Sequence, residues 1–473
     1  LKVLVDATPI AINRTAVYHI AWDIIDYFSQ KYGASVLIYD RILSSEEIEK
    51  VRMDCNTDLI RRAQKGVSDF LHSNRNKKNV RFGLGVERHC VIYLDPLYCL
   101  FDRSIDDSVV LVHDLTPLTH PSWHEPMVCE SYKRAYAKIQ ESRASLVAVS
   151  HSTARDLWVN FGISRHEIRV AHLYLRKMKA HLTADSDDFT NYEKKFLFVG
   201  SLEERKNIKA LIMAFHLSGL QKSGFSLIIV GGDGYGNEEI RQLVAKVKGV
   251  KLAGFLDDRD LEILYRTSWA FVYPSMWEGF GLPLLEAMAR GLPCIASSHS
   301  AVREVGADAA LFIQASDVDS ISKALIQSSK WEPKERESYM LLSLERSKDF
   351  SFEKFISIIE DAVIEICARK SGEFFDFENE NQLPPSFLTF PWIEQFPKSL
   401  GDIPESHSEA YLILILQLAR IRMERRLTEL SKKDLDGKER SAVEKEFSSI
   451  EFAIEARIRE LKRLKNYKEG VID

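Results

Sequence analysis

Short apolar runs alternate along the chain with stretches whose apolar residues recur every three or four positions. Residues 2–6 (KVLVD), 109–114 (VVLVHD) and 146–150 (LVAVS) are rich in β-branched residues and suit buried parallel strands. A second series follows at 195–200 (KFLFVG), 225–232 (FSLIIVGG), 250–255 (VKLAGF), 269–274 (WAFVYP) and 294–298 (CIASS). Helical spacing separates them: residues 17–28, the Ser-led segment SHSTARDLWVNFG, and Ile208, Leu211, Ile212 and Phe215. Strand and helix in alternation predict an α/β fold. The polar, acidic stretch 183–195 divides it into two similar halves, 1–182 and 196–350, and helix 351–370 is expected to cross back onto the first. Beyond a Phe-, Pro- and Asn-rich linker at 371–405, two apolar stripes in 406–473 flank Gly437 and predict a helical hairpin or coiled coil.

The most informative segment is 273–293, YPSMWEGFGLPLLEAMARGLP. Gly279 and Gly281 leave the backbone bare before Pro283, whose fixed φ and missing amide proton suit a first helical turn. A helix start behind a glycine loop favours an anion, by about 0.3–1 kcal/mol at an exposed site. Glu278 and Glu286 bracket this loop. A carboxylate accepts two hydrogen bonds at once and so suits the paired hydroxyls of a ribose or hexose. A phosphate site with two hydroxyl readers points to a nucleotide sugar; a Gly-Pro turn with solvent-facing glutamates is the plainer reading of the loop alone.

Glu278, seven residues and Glu286, set in WEGFGLPLLEAMARGLP, resemble the donor-site signature of the retaining GT-B glycosyltransferases of family four, the group 1 enzymes. The resemblance covers roughly residues 1–370 and is strongest at 196–325. It implies two Rossmann-like doubly wound domains facing a cleft. It also implies α-retaining transfer of a sugar from a nucleoside diphosphate to an acceptor hydroxyl, with no obligatory metal and no other cofactor. By that resemblance Arg205 and Lys206 hold the donor diphosphate and stabilise the leaving nucleotide, and Glu278 orients the sugar. Glu286 reads the ribose, and His113 lies beside the transferred sugar. Gly200, Ser201, Gly254, Phe255, Leu256, Gly279, Phe280, Gly281 and Leu282 complete the donor-binding set, with the nucleobase at 254–256. Glu304 is expected near the sugar-phosphate region. The RKN turn and HDLTPL are similar to bacterial polysaccharide mannosyltransferases and suggest GDP-mannose as donor and a glycan or lipid-linked glycan as acceptor. One departure stands out: the loop after the first strand, ATPIAINRTAV, lacks the family's glycine pair, which makes Arg14 or Thr15 a candidate substitute.

At 473 residues the chain can hold about three domains. A net charge of −5 argues against general nucleic-acid binding. Six cysteines, at 55, 90, 99, 129, 294 and 367, form no CxxC pair and read as reduced thiols of a cytoplasmic protein. No apolar run reaches a membrane span, so any membrane contact is expected to be peripheral. The basic run Arg61, Arg62, Lys65, Arg75, Lys77, Lys78, Arg81 and Arg88 is the candidate for such contact; a solvated face is the alternative. His113, Asp114, His120 and His124 mimic a metal cluster, but Pro121 interrupts any helical ligand spacing, so no metal site is expected. The chain opens on Leu1 inside a strand pattern, as an excised part of a longer protein would. A competing function is a degenerate transferase body that recruits partners, or a second copy, through 406–473; the retained Arg205, Lys206, Glu278, Glu286 and His113 oppose it.

Overall fold

The computed structural model describes residues 2–371 apart from 13–15, 55–56, 73–79, 82, 87–88, 164–167, 177–191 and 235–236. The chain divides into two units, Leu1–Phe374 and Phe375–Asp473. The expected linker at 371–405, save Ser371, and the expected hairpin at 406–473 lie outside the described residues, as do Arg14, Thr15 and the segment 177–191 between the halves.

The first half carries β1 (Val3–Asp6), β2 (Ser35–Ile38), β3 (Arg41–Ile42), β4 (Cys90–Tyr93), β5 (Ser108–Val112), β6 (Ser145–Ala148) and β7 (Ile168–Val170). They form one seven-stranded sheet in the order β3-β2-β1-β4-β5-β6-β7. All pairings are parallel except the β2–β3 hairpin. The second half carries β8 (Lys195–Val199), β9 (Ser226–Val230), β10 (Val250–Gly254), β11 (Ala270–Tyr273), β12 (Cys294–Ser297) and β13 (Ala310–Ile313). This six-stranded sheet is wholly parallel, ordered β10-β9-β8-β11-β12-β13. Strands β1, β4, β5, β6, β11 and β12 are buried along their whole length, as parallel strands covered by helices on both faces must be.

Each sheet reverses its winding once, between β1 and β4 and between β8 and β11. Ligands of doubly wound sheets gather outside the carboxyl ends of the strands at such a reversal. The crossing helix forms at Phe352–Ser371, and its Phe355, Ile359, Ala362, Val363 and Ile366 join the larger apolar core. It packs against β4, β5 and β6, so the last helix among the described residues closes the first half.

The basic run does not form the uniform face that its composition suggested. Arg81 is 2% exposed and lies among Asp6, Thr8, Tyr39 and Asp102. Arg61 and Arg62 pair with Asp58 and Asp40. Arg75, Lys77, Lys78 and Arg88 lie outside the described residues.

Candidate active site

The site grows from the winding reversal of the second sheet. After β8 the chain makes one tight turn, Glu204–Lys206, and ends it at Asn207 in the left-handed region, φ 59°. Asparagine tolerates that conformation better than most residues. Its amide then donates to the carbonyls of Pro274, at 3.2 Å, and Ala315, at 2.6 Å. This tether turns Arg205 and Lys206 toward the end of β11, the strand paired with β8. The amide of Met276 closes the same link by donating to the Arg205 carbonyl at 2.7 Å.

Glu278 lies at the meeting point. It accepts from Lys206 Nζ at 2.6 Å, from Arg205 Nη1 at 2.9 Å and from the Tyr273 hydroxyl at 2.9 Å. Lys206 Nζ also reaches the Tyr273 oxygen at 3.0 Å, and Arg205 Nε donates to Glu203 at 2.9 Å. Burial alone would raise the Glu278 carboxyl, but Lys206 and Arg205 overturn that and hold it at about 2. Burial and Arg205 lower the Lys206 ammonium while Glu278 opposes them; the Glu278 direction decides the cluster, because two cations bond one carboxylate that is therefore ionised. The Arg205 side chain keeps 18% exposure, against 7% for Lys206 and for Glu278, so arginine forms the wet edge of a dry cluster.

The glycines have separate duties. Gly281, φ 103°, caps helix Leu282–Met288 in the left-handed region, with Pro283 in its first turn as the sequence predicted. Gly279 is fixed by close approach: a Cβ there would lie 1.9 Å from the carbonyl oxygen of His113. The two halves touch at this point. On the helix that Gly281 starts, Glu286 accepts from the buried Tyr265 hydroxyl at 3.0 Å. Its carboxyl is raised by burial against the pull of Arg290.

His113 follows β5, and its Nε2 lies 2.9 Å from the Leu94 carbonyl. A carbonyl only accepts, so Nε2 carries the proton, and in the neutral ring Nδ1 is the nitrogen left to accept from a hydroxyl. Asp114 turns away from its neighbouring histidines to accept from Thr116 N and Oγ1, His124 Nε2 bonds Thr116 Oγ1, and His120 stacks on Trp123 at 4.2 Å.

Not every expected residue joins the cluster. Gly254, Phe255 and Leu256 lie at and just beyond the end of β10, two strands from β8, about 10 Å away at ordinary strand spacing. That span suits a nucleoside, and the Phe255 ring is 85% exposed there. Gly200 and Ser201 follow β8 directly, and Ser201 Oγ donates to Glu203 at 2.5 Å. Phe280 is buried against His172 and Phe350, which makes it a packing residue of this loop, and Leu282 is partly buried against the larger core. Glu304 is engaged by residues of the first half. Its carboxylate accepts from the amides of His151, at 2.9 Å, and Ser152, at 3.2 Å, and meets His172 Nε2 at 2.5 Å.

Among the described residues, His151, His172 and Glu304 are the one group whose ligand atoms, all within 4.8 Å, could surround a metal ion. The group lies at the amino end of helix His151–Phe161, where exposed amides and the helix dipole favour an anion over a cation. Glu304 is already that anion. The sequence did not flag Tyr273, Tyr265 or Thr153, which act through partners distant in sequence or through residue types common in cores, nor Glu203, whose partners Ser201 and Arg205 lie only two residues away and could have been found.

The profile of the family described as glycosyl transferases group 1 matches residues 184–339, which contain Arg205, Lys206, Glu278 and Glu286. O-antigen chain mannosyltransferase B of Escherichia coli is 29% identical over 275 residues, covering 55% of this chain and 71% of that protein. O-antigen chain mannosyltransferase RfbU of Salmonella typhimurium is 28% identical, covering 46% of this chain and 60% of its own length. Residues 184–339 thus carry a group 1 glycosyl transferase domain. The fold of the chain is GT-B, shared with sucrose-phosphate synthase of Thermosynechococcus elongatus at a TM-score of 0.57, 16% identity, 78% of this chain and all of that one. The Anabaena protein HepE in complex with UDP-glucose gives a TM-score of 0.54 at 14% identity, over 78% of this chain and 99% of that chain. The domain and the relatives mark the chain as a transferase of glycosyl groups.

Proposed function

We propose that this glycosyltransferase moves mannose from GDP-mannose to a hydroxyl of a glycan or lipid-linked glycan, with retention, in the synthesis of a surface polysaccharide such as lipopolysaccharide. The observation that carries the transfer chemistry is the buried cluster of Arg205, Lys206 and Glu278 at the winding reversal. Fixed positive charge held ready for a diphosphate stabilises the charge that develops as the nucleotide leaves. Mannose rests on the two O-antigen mannosyltransferases to which the chain is similar.

In this reading the diphosphate lies against Arg205 and Lys206, Glu286 takes the ribose hydroxyls, and the nucleobase lies over residues 254–256. Glu278 and the amides of 279–281 orient the sugar, and the acceptor enters past His113. The bond from the sugar C1 to the diphosphate oxygen breaks and a bond from C1 to the acceptor oxygen forms on the same face. The acceptor proton passes to the departing phosphate oxygen. No protein nucleophile and no metal is invoked. Closure of the halves excludes water that would otherwise hydrolyse the donor.

No helix among the described residues is long and apolar enough to cross a membrane. The enzyme is read as working on the cytoplasmic side, with any membrane contact peripheral. A thermal-shift panel of nucleotide sugars tests the donor, since a ligand of the folded form raises its stability by mass action. GDP-mannose is expected to give the largest shift and to be hydrolysed slowly by the wild type but not by Glu278→Ala. A larger shift with a uridine donor would overturn the mannose assignment.

A further inference from the structure

We propose that helix His151–Phe161 of the first half is a positioning element for the donor loop, with Thr153 and Asp156 fixing how far residues 277–280 lie from His113. Three contacts from one helix converge on the second half. The Thr153 hydroxyl lies 3.2 Å from the Gly279 carbonyl and 3.1 Å from the His113 carbonyl. Asp156 Oδ2 accepts from the Trp277 indole Nε1 at 3.3 Å. The first amides of the helix hold the Glu304 carboxylate. Residues 153 and 156 are three apart and so share one face of the helix.

What they hold is the segment around Glu278. Trp277 and Gly279 are its two chain neighbours, and Gly279 has no room to move toward His113. From the other side the same segment is tied by Met276 N to the Arg205 carbonyl and by the His299 ring to the Met276 carbonyl at 2.6 Å. A displacement of the helix therefore reaches the carboxylate that bonds Arg205 and Lys206 through a single residue. A hydroxyl has one proton, so Thr153 serves the Gly279 and His113 carbonyls alternately or shares between them, and it registers the gap between donor loop and acceptor side. Misplacement by about 1 Å can cost about 10²-fold in rate. Burial raises the Asp156 carboxyl to about 6, and the contact to Trp277 needs only its acceptor oxygen.

The inference rests on the transferase reading but not on mannose, and its first test needs no donor. In the full chain, hydrogen exchange of a peptide covering residues 275–281 is expected to speed up about tenfold in Thr153→Val and in Asp156→Leu. Exchange at β12 should stay as in the wild type. Thr153→Ser and Asp156→Asn, which keep the hydroxyl and the acceptor oxygen, should restore the wild-type rate. Hydrolysis of whichever of GDP-mannose, UDP-glucose and UDP-galactose the wild type accepts should then show kcat at least about tenfold lower in the first two variants, with KM for the donor within about twofold. Thr153→Val and Asp156→Leu that both leave exchange and kcat unchanged would overturn the proposal. So would Thr153→Ser falling as far as Thr153→Val, since packing of the methyl and not the hydroxyl would then be at work. A wild type that hydrolyses none of the donors would count against the transferase chemistry, while the exchange result would still decide the positioning claim.

Discussion

Two buried ionic clusters occupy corresponding places in the two halves, each at the carboxyl end of the strand where the winding reverses, and they are built differently. In the first half Arg81 donates to Asp6 at 2.9 Å, to Asp102 at 2.7 Å and to the Tyr39 carbonyl at 2.7 Å, with no side-chain exposure at Arg81 or Asp6. Its guanidinium is used inward on every side. In the second half two cations share Glu278, and Arg205 keeps one edge open: among the described residues its Nη2 makes no hydrogen bond. A saturated buried cluster can only hold a fold together, whereas one with a donor left over can also hold a ligand. Asp6 of the closed cluster is raised by burial despite Arg81, while Glu278 of the open one is lowered by its cations despite burial. Surplus negative charge closes one site; in the other, Arg205 and Lys206 are matched by Glu203 and Glu278, and it is the open arginine edge that can take an anion.

The contrast can be broken most severely at Arg81. Arg81→Leu leaves Asp6 and Asp102 buried without their cation, and denaturant unfolding should show a loss of about 3–5 kcal/mol. The protein that remains folded should bind donor as the wild type does. Lys206→Ala is expected to do the reverse, lowering turnover by about 10²–10³-fold while the unfolding midpoint moves less than for Arg81→Leu. Acid titration sharpens the comparison. Glu278 titrates at about 2 in the folded chain against 4.5 unfolded, so it contributes stability that is complete above 4.5 and is lost as pH falls toward 2. By linkage this amounts to about 3 kcal/mol. Asp6 is shifted the other way, so acidification through its raised pKa adds stability. Unfolding measured from pH 5 to pH 2 should therefore be shallower in Glu278→Gln and steeper in Asp6→Asn. The smallest effect is expected from Tyr273→Phe, which removes one hydrogen bond to Glu278 worth about 1 kcal/mol and should slow donor hydrolysis by about tenfold or less.

Most of the open cluster was legible in the chain. WEGFGLPLLEAMARGLP fixes the loop, the helix start and both glutamates locally, and the RKN turn places Arg205 and Lys206 immediately before Asn207. The alternating runs likewise foretold the parallel strands, and SHSTARDLWVNFG gave its helix with Ser150 as the cap. The failures share a cause. Arg81 read as one charge in a basic run because its partners lie 75 and 21 residues away. Glu304 meets its amide partners across more than 150 residues, and Thr153 meets Gly279 across 126. Periodicity and spacing report neighbours along the chain, and the surfaces where two sheets and their loops meet have no period.

The central claim is that Arg205 and Lys206 hold a nucleoside diphosphate against the loop of Glu278. Isothermal titration of GDP and of UDP into the wild-type chain and into Arg205→Ala addresses it most directly. At least one nucleotide should bind the wild type and lose about tenfold or more in affinity when the open guanidinium is removed. Equal affinity for both proteins, or no binding of either nucleotide to the wild type, would contradict the account.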